Sequence, residues 1–181
     1  MSKLSQFAMA CVIAFGSVVV AADSAGLPLG ESVAPFNVRD VTGPSAGKTL
    51  CYRCKFGSKP VVTIFTRDVT PEVVSLVKKV DSQIAANKDK QLSSFVVVLT
   101  NDPDTTEAKL KEIAKKEKIS VPLTIMEGDA GPEEYKLQKE AETTVMMWVD
   151  GTLKVNEAFS KGKLDKKSVD TVAGQTKKIL D

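Results

Sequence analysis

The sequence predicts an α/β protein in which a central mixed β-sheet is flanked by helices. Two observations lead to this fold class. Short runs of β-branched and apolar residues alternate along the chain with segments whose apolar residues recur at helical spacing. In addition, Asp150-Gly151 separates two strand-like segments, a pattern typical of a tight hairpin that adds antiparallel strands to a sheet. The chain shows no internal repeat, so a single domain is expected.

The first 22 residues are typical of a secretory signal peptide. Lys3 provides the positive start, a run of apolar and small residues extends over 7–20, and small residues end at Ala22. The alternative is an uncleaved anchor helix, but the apolar run is shorter than the ~20 residues that a membrane span needs. We therefore expect export to a secreted or periplasmic location, with no stable membrane span after the signal is removed.

The boundaries of the mature domain follow from the next segment. Residues 23–35 contain several Gly and Pro residues and are predicted to form a flexible arm. The folded domain then covers 36–181. Removal of the signal takes Cys11 with it and leaves one close pair of cysteines, in a compartment where disulfides persist.

The first half of the domain contains the elements that surround this cysteine pair. An alternating pattern at 36–39 predicts a strand, and 49–56 is either a second short strand or an irregular loop. The continuous apolar run at 61–65 predicts a buried strand. A helix then begins at Thr70-Pro71, because threonine is a good N-cap and proline suits the first helical position.

The second half continues the alternation. The predicted elements are a buried strand at 95–99, an amphipathic helix at 106–118, a strand at 121–126, a hairpin of strands at 144–149 and 153–159, and a closing helix at 165–180.

Composition excludes several classes of function. The chain of 181 residues has no histidine, which rules out a Ser-His-Asp triad, a Cys-His pair and a histidine metal site. Its net charge is +2 with both signs interspersed, so no nucleic-acid partner is expected.

Four segments resemble the thioredoxin superfamily, in particular its redoxin and peroxiredoxin branch. The segments 34–43, 59–65, 119–137 and 143–151 each resemble one phrase of the family. In order, these phrases are the opening A-P-x-F-x-L-x-D-x-x-G, the core strand G-K-P-V-V-L-x-F, I-x-x-P-L with a later Y-G-V, and P-T-x-x-x-x-x-D-G. The resemblance implies a thioredoxin-like fold with an N-terminal β extension.

The chain departs from this family at the usual reactive site. In the family the reactive cysteine follows the core strand at the start of the next helix, where thiolates are stabilised. Here Thr70 and Val73 stand at the two cysteine positions, and Thr143 stands where the resemblance places a cis-proline. Peroxidase or ordinary thioredoxin chemistry is therefore not expected at that place.

The cysteine pair lies upstream of the core strand instead. In an extended strand the Cα atoms of Cys51 and Cys54 would be about 10 Å apart, whereas a disulfide needs roughly 4.4–6.8 Å. If the segment turns, the positive charges of Arg53 and Lys55 would favour thiolates, and Tyr52 would offer an apolar contact to a substrate. The leading hypothesis is a thiol–disulfide oxidoreductase acting on protein thiols and disulfides through Cys51 and Cys54.

Two other interpretations of the pair stay open. Cys51 and Cys54 would form a structural disulfide in a non-catalytic binding or scaffold module that kept the fold and lost the site. Alternatively, the two thiolates would bind Cu(I), or Zn²⁺ together with further ligands, although there is no histidine to complete such a set. No organic cofactor is expected.

Overall fold

The computed structural model describes residues 26–180. Within this range the strands are β1 Val38–Asp40, β2 Thr49–Leu50, β3 Val61–Thr66, β4 Ser93–Thr100, β5 Leu123–Glu127, β6 Ala141–Val149 and β7 Thr152–Ser160. The helices are α1 Tyr52–Phe56, α2 Pro71–Ala86, α3 Pro103–Glu117 and α4 Lys166–Gly174, with 3-10 helices at Glu133–Tyr135 and Gln175–Ile179. The predicted signal peptide lies outside the described residues.

The strands form one mixed sheet in the order β2-β1-β5-β4-β3-β6-β7. The three central strands β5, β4 and β3 are parallel to one another, whereas β6 is antiparallel to β3 and β7 is antiparallel to β6. The short β1–β2 pair adds antiparallel strands at the edge beside β5. The predicted mixed α/β sheet with an N-terminal β extension is confirmed.

The two long helices begin where their sequences provide caps. Thr70 Oγ1 accepts a hydrogen bond from the amide of Val73 at 3.3 Å, and Pro71 occupies the first turn of α2. Helix α3 begins in the same way: Asp102 is its N-cap, with Oδ1 accepting a hydrogen bond from Thr105 N, and Pro103 occupies its first turn. Because this second cap precedes the apolar pattern, α3 begins three residues before its predicted start.

Alternation along the strands divides the core into two. Val62 and Ile64 of β3 face the side covered by α2, α3 and α4, where the core is almost entirely aliphatic. Val61 and Phe65 face the opposite side, which holds most of the aromatic residues and is covered by α1, the N-terminal segment and the 3-10 helix Glu133–Tyr135. The cysteine pair lies on this aromatic side.

The segment predicted as a flexible arm is bound to the sheet over residues 26–35. Gly30 N donates to Leu153 O at 2.8 Å, Leu153 N donates to Glu31 O at 2.9 Å, and Val33 N donates to Gly151 O at 2.9 Å. Val33 is only 1 % exposed. The difference arises because these bonds come from the backbone, so Gly and Pro in the sequence do not reveal them.

Two other segments differ locally from the prediction. The region 49–56 is a two-residue strand followed by the five-residue helix α1, rather than one strand or loop. The closing helix is α-helical only to Gly174 and continues as the 3-10 helix Gln175–Ile179. Glycine lowers helical propensity there, and Thr176 Oγ1 bonds back to Ala173 O at 3.0 Å.

Candidate functional site

Cys51 and Cys54 form a disulfide at the beginning of α1. Their Cα atoms are 5.2 Å apart, within the range that a disulfide requires. The closure is possible because Cys51 is the N-cap residue and the chain turns immediately after it. Cys51 Sγ also accepts a hydrogen bond from Cys54 N at 3.0 Å. The condition set by the sequence, that residues 51–54 must turn, is met.

The two half-cystines differ in their exposure to solvent. Cys54 is exposed, whereas Cys51 is half-buried between strand β2 and the buried Tyr52. Lys55, next to Cys54, is also exposed. The disulfide is therefore accessible to another molecule, and it is accessible mainly from the side of Cys54.

Tyr52 anchors this short helix in the protein. It is 1 % exposed, and its hydroxyl donates to Asp40 Oδ2 at 2.8 Å. Burial, followed by the hydrogen bond to Asp40 and the negative charge of that carboxylate, raises the pKa of Tyr52 well above its usual range. Tyr52 therefore holds α1 to the core, and its contact with a substrate stays a prediction.

Aromatic packing reinforces the anchor. The Tyr52 ring stacks on Phe95 with centroids 5.2 Å apart and an interplanar angle of 23°. Phe56, at the last position of α1, packs against Tyr52 at 5.3 Å and against Phe95 at 6.1 Å. A helix of five residues has no stability of its own, so these contacts hold α1 in place.

Arg53 connects the helix to the N-terminal segment. Its Nε donates to Val33 O at 3.1 Å and its Nη1 to Gly57 O at 3.4 Å. The guanidinium also lies against Gly151 of the β6–β7 turn, where a Cβ atom would collide with Arg53 Nη2. Gly151 is therefore required both for its positive φ of 71° and for this close approach. The predicted influence of Arg53 on the cysteine pKa stays a prediction.

Asp40 is a structural partner of the site that the sequence did not single out. Its carboxylate accepts hydrogen bonds from Gly43 N at 2.7 Å and Ser45 N at 2.8 Å, in addition to that of the Tyr52 hydroxyl. A Cβ at Gly43 would lie 2.5 Å from Tyr52 Oη and 2.7 Å from Asp40. The sequence does contain a sign of this arrangement: Gly43 follows Asp40 by three positions, and an aspartate followed by a glycine at this spacing is typical of a turn.

A pocket of about 280 Å³ lies beside α1. Its lining includes Lys55 and Phe56 from the helix, Ile84 from α2 and Ser94 from β4. The Ser94 hydroxyl is buried and has no hydrogen-bond partner among the described residues. The disulfide helix thus stands next to a small, largely apolar surface depression.

The positions at which the family has its reactive cysteines lie at the other end of β3. The step from Val61 to Thr66 spans roughly 17 Å, and α1 precedes its first residue. At the far end Val73 is buried at 1 % exposure, and Thr70 caps α2 as described above. Thr143 Oγ1 lies 3.1 Å from Thr66 Oγ1. This end therefore presents hydroxyl and methyl groups in place of thiols.

Metal-binding groups and membrane-spanning helices are both absent from the described part of the chain. Among residues 26–180, no group of three or more cysteine, aspartate or glutamate side chains is placed to hold a metal ion. No helix in the same range is long and apolar enough to cross a membrane.

No protein-family model and no curated protein sequence matches the chain. Solved structures do match it. The thioredoxin domain of a thiol-disulfide oxidoreductase from Bacteroides vulgatus has a TM-score of 0.62 at 14% identity, covering 86% of this chain and 99% of that one. The peroxidoxin BcpB from Mycobacterium tuberculosis has a TM-score of 0.58 at 18% identity, with coverages of 86% and 99%.

A third similar structure is a secreted disulfide oxidoreductase from Mycobacterium tuberculosis, homologous to Escherichia coli DsbE. Its TM-score is 0.57 at 12% identity, covering 78% of this chain and 94% of that one. The protein described here thus has the thioredoxin-like fold that the sequence resemblance implied. Within that fold its Cys51–Cys54 pair lies before the core strand β3 instead of after it.

Proposed function

We propose that the protein carries out thiol–disulfide exchange with protein partners through Cys51 and Cys54. The observation that carries this proposal is the Cys51–Cys54 disulfide itself. It joins two residues within the first turn of α1, and one of them, Cys54, is exposed at the surface. The fold is one that known thiol-disulfide oxidoreductases share. Exchange needs only an accessible sulfur and a stabilised thiolate, so the lack of histidine is no obstacle.

The energetics of the disulfide favour a redox role over a purely structural one. In the chain-entropy description, a ring of four residues stabilises a fold by about 2 kcal/mol, less than a long-range bridge does. Helix α1 is already held by Tyr52, Phe56 and Arg53. The bond therefore adds little to the position of the helix, and breaking it leaves the surrounding contacts available.

The electrostatic surroundings also suit exchange. Lys55 lies next to Cys54, and its Nζ is 5.4 Å from the centre of the Tyr52 ring. Positive charge close to a thiol favours the thiolate form, which is the reactive species. Arg53 adds a second cation on the same turn, although its guanidinium is engaged with backbone carbonyls.

The same proposal includes export of the protein. The signal-like sequence over residues 1–22 and the close cysteine pair are consistent with a secreted or periplasmic location, where disulfides persist. Expression of the full chain with a C-terminal tag, followed by N-terminal sequencing of the extracellular or periplasmic fraction, tests this. We expect a chain that begins at Asp23; recovery of only the intact chain in the cytoplasm would contradict export.

The function is tested by insulin reduction in the presence of dithiothreitol and by reactivation of a scrambled disulfide substrate. We expect the wild-type chain to accelerate at least one reaction, and Cys51→Ser and Cys54→Ser each to abolish that acceleration. The matched control is Thr70→Asn, which alters the family's usual site but keeps a residue that can cap α2. It should retain full activity.

Two outcomes would overturn the proposal. The wild-type chain could fail to accelerate either reaction, which would favour a non-catalytic module with a structural disulfide. Alternatively, the single-cysteine variants could be as active as the wild type, which would place any activity elsewhere.

A further inference from the structure

We propose that the two cysteines have fixed and different roles: Cys54 forms the mixed disulfide with the partner, and Cys51 is the leaving and resolving sulfur. This inference rests on the proposed exchange function. It assigns the reactive cysteine to the second position of the C-x-x-C sequence. The assignment follows from two independent differences between the sulfurs, one in access and one in hydrogen bonding.

Access favours attack at Cys54. A thiolate attacks a disulfide sulfur in line with the bond that breaks, so it needs room on the side opposite the leaving sulfur. Cys54 is exposed, and so is the following Lys55. Cys51 is half-buried, and it lies between Leu50 of β2 and the fully buried Tyr52. A protein partner, which is bulky, therefore reaches the Cys54 side more easily.

Hydrogen bonding favours Cys51 as the leaving group. Its sulfur accepts the amide N–H of Cys54 at 3.0 Å, and such a bond stabilises a thiolate more than a thiol. Cys54 Sγ accepts no hydrogen bond from any residue in the described range. Negative charge that develops when the disulfide opens is thus better stabilised on Cys51, and a better-stabilised thiolate leaves faster.

In the oxidising direction, two thiols of the partner are converted to a disulfide. A partner thiolate attacks Cys54 Sγ and forms a new S–S bond, while the Cys51–Cys54 bond breaks and its electron pair remains on Cys51 as a thiolate. A second partner thiolate then attacks the partner sulfur of this mixed disulfide and expels the Cys54 thiolate. The partner loses two electrons and gains a disulfide, and the cysteine pair gains the same two electrons.

The reducing direction is the reverse. The Cys54 thiolate attacks a partner disulfide and releases one partner thiolate. The Cys51 thiolate then attacks Cys54 Sγ, reforms the Cys51–Cys54 bond and releases the second partner thiolate. Cys54 is the attacking group in this direction because it is exposed to a protein partner, whereas Cys51 is half-buried.

The test compares the two single-cysteine variants of the full chain. Cys51→Ser keeps a good N-cap at position 51, and Cys54→Ser keeps the amide that bonds to Cys51, so both should retain α1. Each reduced variant is mixed with dithiodipyridine, and the coloured product is followed over time. At a pH above both thiol pKa values, where both cysteines are thiolates, we expect Cys51→Ser, which has Cys54 free, to react about tenfold faster than Cys54→Ser.

A second readout separates chemical roles from mere differences in exposure. The pH dependence of each rate reports the pKa of the thiol that remains. For Cys54→Ser we expect the Cys51 thiol to titrate below its ordinary value of about 8.5, because the residue-54 amide still donates to it. For Cys51→Ser we expect the Cys54 thiol to titrate at a higher pH than Cys51 does.

The double variant Cys51→Ser/Cys54→Ser is the background control, since it retains Cys11 where the full chain keeps its first residues. Equal rates, or a faster reaction of Cys54→Ser, would overturn the assignment of roles. Failure of the exchange function is distinguishable: the wild type would then be inactive with insulin and with the scrambled substrate, whichever thiol reacts faster with dithiodipyridine.

Discussion

At the scale of single residues, the site depends on two buried tyrosines. Tyr52 donates its hydroxyl to Asp40, and Tyr135 donates its hydroxyl to Ala34 O at 2.8 Å. Both side chains are almost completely buried on the aromatic side of the sheet, and each fixes a segment that the strands alone do not hold. Tyr52 fixes α1, and Tyr135 fixes the chain just before β1.

These tyrosines lead to a prediction for alkaline pH. Burial raises the pKa of Tyr52 and of Tyr135 well above the ordinary value near 10; the charge of Arg53 opposes the shift at Tyr135 without cancelling it. The chain has no other tyrosine. We therefore expect no tyrosinate absorbance from the folded protein when the pH rises above ~10.

The sign of the linked stability change follows from the same shifts. Tyrosines whose folded pKa is raised stabilise the fold fully below their unfolded pKa, and this stability is lost as the pH rises above it. Tyrosinate absorbance and loss of the circular dichroism signal should thus occur together. Gradual appearance of tyrosinate near pH 10 in a protein that is still folded would contradict the burial of these hydroxyls.

At the scale of elements, α1 is positioned by side chains rather than by its own hydrogen bonds. Its first residue, Tyr52, enters the aromatic core, its second, Arg53, donates to Val33 O, and its last, Phe56, packs on Phe95. The disulfide closes only the first turn. The helix should therefore keep its place when the disulfide is reduced.

Reduction of the disulfide tests this view of α1. We expect dithiothreitol to lower the free energy of unfolding by about 2 kcal/mol or less, the upper value for so small a ring, and to leave near-ultraviolet circular dichroism from Tyr52 and Trp148 unchanged. Tyr52→Phe in the oxidised protein should cost about 1–2 kcal/mol because Asp40 loses a buried donor. Loss of the near-ultraviolet signal of Tyr52 and Trp148 on reduction would mean that the disulfide, not the tyrosine, holds the helix.

At the scale of the whole molecule, the sequence predicted the elements whose patterns are local and periodic. The buried strands, the two capped helices and the hairpin at Asp150-Gly151 are all present. Helix α1 escaped prediction because five residues are too few to show a helical period. The Tyr52–Asp40 hydrogen bond joins positions 12 apart in sequence, which local patterns do not report.

Prediction of the candidate site was limited for the same reason. The spacing of Cys51 and Cys54 showed that a disulfide requires a turn, but whether the chain turns depends on the anchoring of Tyr52 to Asp40 and Phe95. By contrast, the absence of cysteines at the family's usual reactive positions could be predicted from the sequence alone, because Thr70 and Val73 stand there. The sequence did not specify the difference in exposure between the two cysteine residues.

The N-terminal segment contributes to the fold as a whole, since it covers the aromatic core and receives Arg53 from α1. Val33 is 1 % exposed, whereas Leu29, four residues earlier, is 62 % exposed. We expect Val33→Ala to lower the free energy of unfolding by about 2 kcal/mol, from lost burial and the cavity that remains. Leu29→Ala is the matched control and should change it by less than about 0.5 kcal/mol. Urea denaturation of both variants measures the difference; equal, small effects would mean that the segment lies on the sheet without stabilising it.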